Sequence, residues 1–176
     1  MASIWPRAVG TLHMSRNLIL AAVMVAACVS FVTIPLSGHI SDRIGRRRMY
    51  IIGVVAIGLF GFVYFGMVDT AIPLLVFIAI VLSLIPHDIQ YGPQAALIAE
   101  AFTPRLRYSG ASLGYQLASI IAGGPAPIIA TALFAAYQSG YAIAIFIAVC
   151  GVISLISAAF MPDYTGQDIS MEYDEE

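Results

Sequence analysis

Five apolar runs dictate what this chain can become. Leu18 to about Ile40 carries no charged residue, and neither does Met49 to Val68. A third run extends from about Ile72 to Phe102, a fourth from Tyr108 to about Tyr137, and a fifth from Tyr141 to Met161. A helix needs about 20 apolar residues to cross a hydrocarbon core, and every run is long enough. Composition closes the alternative. Of 176 residues, 60% are hydrophobic, 10% are charged and none is lysine, against roughly 25% charged residues in a soluble domain. A water-facing surface cannot be built from this inventory. The sequence predicts an all-α integral membrane protein with five transmembrane helices over residues 18–161 and no soluble domain.

The arginines set the expected orientation. Arg43, Arg46, Arg47 and Arg48 follow the first run, and Arg105 and Arg107 follow the third. Both loops fall on one side, and the positive-inside rule makes that side cytoplasmic. With five spans the N-terminus is then outside and the C-terminus inside, in the cell (inner) membrane. Residues 162–176 form an acidic cytoplasmic tail holding Glu172, Asp174, Glu175 and Glu176. Residues 1–17 carry Arg7 and Arg16 on the side where arginine is disfavoured. They do not read as a signal peptide, because the following run is too long and arginines stand where a cleavage site would be. The expectation is an extracytoplasmic segment at a truncation junction, with further spans once ahead of it.

Several chemistries find no support. Basic clusters this short and this close to apolar runs are topology determinants rather than a nucleic-acid surface. Cys28 and Cys150 lie inside apolar runs without metal or redox spacing. Nucleophile-elbow, zinc-protease and phosphate-loop motifs are absent. No enzyme activity, catalytic residue, metal or cofactor is expected.

Polar residues inside hydrocarbon are costly, and each raises a functional question. The third run, roughly 46 Å long at 1.5 Å per residue, holds His87, Asp88, Gln90, Tyr91 and Gln94 near its middle, between Pro86 and Pro93. Residues 87, 90, 91 and 94 are spaced to share one helix face, and Asp88 adjoins it. The prolines should break this helix. In the fourth run Ser112, Tyr115, Gln116 and Ser119 repeat the pattern, ahead of an interruption at Gly123-Gly124-Pro125-Ala126-Pro127. One reading is a substrate or proton path made at mid-membrane; the other is hydrogen bonding between helices as structural glue. Burial favours the protonated form of a carboxyl and a nearby cation the ionised form, while histidine titrates near neutrality. Asp88 and His87 are therefore the candidate proton carriers.

A second constellation lies at the cytoplasmic face. Asp42 and Glu100 supply acceptors there, and Arg43, Arg46, Arg47 and Arg107 supply bidentate donors. Such a set can lock one face shut and part when it opens. The bland reading is topological anchoring.

At Gly38-x-x-x-Asp42-Arg43-x-Gly45-Arg46-Arg47 the sequence resembles the signature loop of the major facilitator superfamily, which joins the second and third helices of each six-helix half. Glu100 and Arg107 resemble the E-x6-R pattern of sugar-porter-like members. Tyr91-Gly92-Pro93-Gln94 and the run Arg107 to Gln116 are similar to the metabolite:proton symporters, the branch with shikimate, α-ketoglutarate, citrate and proline or betaine carriers. The resemblance implies helices eight to twelve of a twelve-helix carrier, with Gly38, Asp42, Arg43, Gly45, Arg46, Arg47, Glu100 and Arg107 as a cytoplasmic gate. The implied function is the C-terminal part of a proton-coupled symporter for a small polar metabolite, an organic acid or zwitterion. Its partners would be the lipid bilayer, the substrate with H+, and the missing N-terminal helices as a covalent or separate partner. Alone, such a piece is expected to be inactive. The alternative is a non-transporting membrane interaction protein or an inactive remnant.

Overall fold

The computed structural model describes residues 16–165. The N-terminal residues 1–15 and the acidic tail from residue 166 onward, with the expectations attached to them, lie outside the described residues. Six α-helices follow in order: α1 (Arg16–Ile44), α2 (Arg46–Asp69), α3 (Pro73–Glu100), α4 (Pro104–Ala118), α5 (Ala126–Tyr137) and α6 (Gly140–Phe160). A π-helical turn, Ser119–Gly123, links α4 to α5. Because α4, the π turn and α5 run on as one stretch, the described residues provide five spans long and apolar enough to cross a membrane.

The connections are tight and locally encoded. Asp42 and Arg43 belong to the last turn of α1 rather than to a loop, so the link to α2 shrinks to Gly45 alone. Gly45 has φ +104°, a conformation that disfavours any Cβ. Pro73 and Pro104 open α3 and α4 at positions where a missing N–H costs nothing. The Ser139 side chain accepts the Tyr141 N–H at 3.3 Å and caps α6. In the fourth span, Pro125 and Pro127 cannot donate to the carbonyls four residues earlier. The preceding turn widens, and Gly124 N–H reaches Ser119 O at 3.2 Å. The expected interruption is present. The expected break at Pro86 and Pro93 is not, since α3 remains one helix across both.

Helix α3 is the hub, packed between α1 and α2, while α6 covers the other side of α2. Inside a bilayer, association depends on close packing, which favours small residues at crossings. A Cβ on Gly92 would lie 2.8 Å from Ile34 O and 2.9 Å from Gly38 N, so α1 and α3 meet backbone to backbone. One on Gly53 would lie 2.5 Å from Gln90 N, which brings α2 equally close to α3. Gly140 seats the ring of Phe65 at the α2–α6 crossing. No residue of α4, the π turn or α5 is buried.

Candidate functional site

Two polar constellations sit on this frame, one around the middle of α3 and one at the arginine-bearing end.

Asp88 is the hub of the first. It is 1% exposed and faces α1, where it accepts a hydrogen bond from Thr33 Oγ1. Its other oxygen lies 3.2 Å from His87 Nδ1. The half-exposed His87 ring stacks on Tyr91 at 5.4 Å between centroids. Tyr91 in turn meets Tyr115 of α4, with the two hydroxyls 3.5 Å apart. This gives a chain of contacts, Thr33–Asp88–His87–Tyr91–Tyr115, from α1 across α3 to α4, in which the His87–Tyr91 link is a ring stack.

Gln90 and Gln94 do not join it. Gln90 lines a 290 Å³ cavity with Val54, Ala122, Ala126 and Phe146. Gln94 lines a 120 Å³ cavity with Tyr50, Ser154 and Ser157. Both therefore look toward α2 and α6, as His87 does through its own cavity, while Tyr91 reaches α4. His87 also borders a 230 Å³ cavity with Tyr64, Phe65 and Ser83. Ser112 and Gln116 are exposed on α4. Ser119 donates its hydroxyl to Tyr115 O at 2.9 Å.

The second constellation is centred on Arg46. Its guanidinium reaches Asp42 Oδ1 at 3.0 and 3.2 Å and pairs with Glu100. One arginine thereby ties the end of α1 to the end of α3. Arg47 donates instead to the Ala159 carbonyl at 2.6 Å, at the end of α6. Arg43 is exposed, and Arg107 is half-buried near the start of α4. Of the anticipated arginines, Arg46 bridges α1 and α3, while Arg47 serves α6.

Sequence reasoning missed two contributors. The first is Thr33, part of a hydroxyl stripe Ser30, Thr33, Ser37 and Ser41 on α1, of which Ser37 and Ser41 are buried. Their helical spacing was the available signal. The second is the strap after α6. Thr165 Oγ1 accepts the Arg46 N–H at 2.9 Å and donates to Asp163 Oδ1 at 2.5 Å. The strap thereby caps α2, with the Asp163 carboxylate beside Gly45.

An all-α bundle of five membrane-long apolar helices belongs to the class of multi-span membrane proteins. The chain matches the Major Facilitator Superfamily over residues 1–169, and it is a member of that family. It is 36% identical over 150 residues to a shikimate transporter of Escherichia coli K12, covering 84% of this chain and 34% of the relative. It is 34% identical over 147 residues to the inner membrane metabolite transport protein YhjE of the same organism, covering 83% and 33%. A glycine betaine/proline/ectoine/pipecolic acid transporter, OusA of Dickeya dadantii, is 30% identical over 156 residues, covering 87% and 30%. The chain spans about a third of the length of these curated relatives. No solved structure matches it significantly.

Proposed function

We propose that these five helices form the C-terminal part of a proton-coupled symport path for a small polar metabolite, an organic acid or a zwitterion. The observation that carries the reading is Asp88, a buried mid-membrane acid bonded to His87 and, through His87 and Tyr91, connected to Tyr115. A carboxyl in that setting can take and release a proton, and the tyrosines and His87 can hydrogen-bond a polar substrate. The relatives named for shikimate and for betaine and proline supply the two substrate chemistries to be tried first.

Carriers of this kind work by rocking one bundle against another. The uncovered α4–α5 stretch therefore supports association with further helices, covalently attached or on a separate chain. The gate would open to the cytoplasm, with the protein in the inner membrane, N-terminus outside. No catalytic chemistry is needed.

The test is uptake of radiolabelled shikimate, proline and glycine betaine in transport-deficient cells. The cells produce the chain together with the helices that complete a twelve-helix carrier. One substrate should accumulate, faster at acid external pH, and a protonophore should abolish accumulation. Accumulation indifferent to the protonophore removes proton coupling. Absence of uptake for every organic acid and zwitterion tried removes transport.

A further inference from the structure

Thr33 carries more information than a helix-packing hydroxyl should. Its Oγ1 lies 3.1 Å from Val29 O on its own helix and in hydrogen-bond contact with Asp88 Oδ2 on α3. A threonine hydroxyl has one proton, so it can donate to one of these acceptors at a time. Both contacts are hydrogen bonds together only if the carboxyl is protonated. Asp88 then donates to Thr33 Oγ1, and Thr33 donates to Val29 O. When Asp88 is ionised, the Thr33 hydroxyl must turn to the carboxylate. Val29 O loses little, because inside α1 it also accepts the helical N–H four residues on.

We propose that Thr33 is the positioning residue of a proton-carrying Asp88, its hydroxyl turning between Val29 O and the carboxylate as the acid gains and loses its proton. This rests on the reading that transport is proton-linked. The surroundings suit it. Thr33 from α1 and His87 from α3 itself are the polar groups bonded to Asp88. On the α2 side, Tyr64 borders the His87 cavity, and no acid or base of α2 bonds Asp88 among the described residues. The Thr33 hydroxyl, with the His87 ring beside it, is what holds this buried carboxylate. The same swing keeps α1 attached to α3 in both states, about a turn from the Gly38–Gly92 contact. One turn earlier, Ser30 Oγ is buried without a partner among the described residues, which leaves room in the hydrogen-bond inventory of this face for an exchanged proton or water.

The sign of the effect follows. A hydrogen bond to a charged group is worth about twice one between neutral groups, so removing the hydroxyl harms ionised Asp88 more than protonated Asp88. Thr33→Val should hold the proton to higher pH by on the order of one pH unit, and Thr33→Ser should behave as wild type.

The first readout uses the full chain reconstituted in a lipid bilayer and needs no transport. Infrared spectroscopy follows the C=O band of a protonated carboxyl, assigned to Asp88 by its loss in Asp88→Asn. The expected result is an alkaline displacement of its titration in Thr33→Val, reproduced in Thr33→Ala, where side-chain packing differs, and reversed in Thr33→Ser. A band that titrates identically in all four proteins overturns the role of Thr33 while leaving Asp88 as a proton site. If no band is lost in Asp88→Asn at any pH, and that variant keeps proton-driven uptake in the completed carrier, the proton reading of Asp88 fails and this proposal with it.

Discussion

Among the described residues Gly45, Ala71 and Gln138 have positive φ, and the first two differ in what they tolerate. Gly45, at φ +104°, makes the whole connection from α1 to α2, and a Cβ there would also lie 3.3 Å from Asp163 Oδ2. Ala71, at φ +59°, occupies the opposite turn with a side chain already in place. A left-handed L-residue costs roughly 1–2 kcal/mol. Gly45→Ala should therefore destabilise the chain by at least that amount, and also loosen the strap. Ala71→Gly should be neutral or stabilising by less than about 1 kcal/mol, since relief of strain is offset by added freedom in the unfolded chain. Thermal unfolding in detergent checks both, with loss of protection of Thr165 from proteolysis as the second reading for Gly45→Ala. Gly45 was legible in the sequence as a motif position. Its neighbour Asp163 was not, because 118 residues separate them and no local pattern encodes that contact.

At the scale of the helix, α3 shows where periodicity informs and where it stops. The residue spacing correctly put His87 and Tyr91 together, one turn apart. Gln90 and Gln94 line separate cavities, and positions 87, 90, 91 and 94 together cover an arc of about 100° at 3.6 residues per turn. On a surface helix that arc is one face. On a helix packed against α1 and α2 and touched by α4, it meets more than one neighbour. The prolines misled for a related reason. In hydrocarbon a broken helix leaves backbone groups without water, so neighbouring helices keep a proline-bearing segment helical. What fixes α3 instead is glycine at its crossings. Gly92→Ala and Gly53→Ala each drive a Cβ against backbone atoms that cannot turn aside, at a cost of about 1–3 kcal/mol for overpacking. Gly58→Ala, with open space around the added carbon, is the control and should change little. The readout is the yield of folded protein and its melting temperature. Equal behaviour of all three would mean that the close crossings do not hold the bundle.

For the molecule as a whole, the question is what ties the helix ends together at the arginine-bearing end and how firmly. Arg46 sits at the N-terminus of α2 and Glu100 at the C-terminus of α3. Each is at the end of its own helix where its charge is disfavoured by the helix dipole, and their pairing offsets that for both. Their pair joins α2 to α3, Asp42 adds α1, and the strap and Arg47 add α6. The partners are not equivalent. The Glu100 side chain is 8% exposed, whereas that of Asp42 is 56% exposed. Removing Arg46 strands a buried carboxylate, which costs about 3–5 kcal/mol, and opening this end to water relieves that cost. Losing Asp42 costs at most about 1 kcal/mol, the worth of an exposed pair. A cysteine placed at Leu97, a 2% exposed position one turn from Glu100, reports opening by its alkylation rate once the exposed Cys28 and Cys150 are replaced by alanine. Arg46→Met should raise that rate by on the order of a hundredfold. Asp42→Asn should raise it by less than about fivefold. Comparable rates in the two variants would show that the end is closed by packing of the helices, and that the charges merely decorate it.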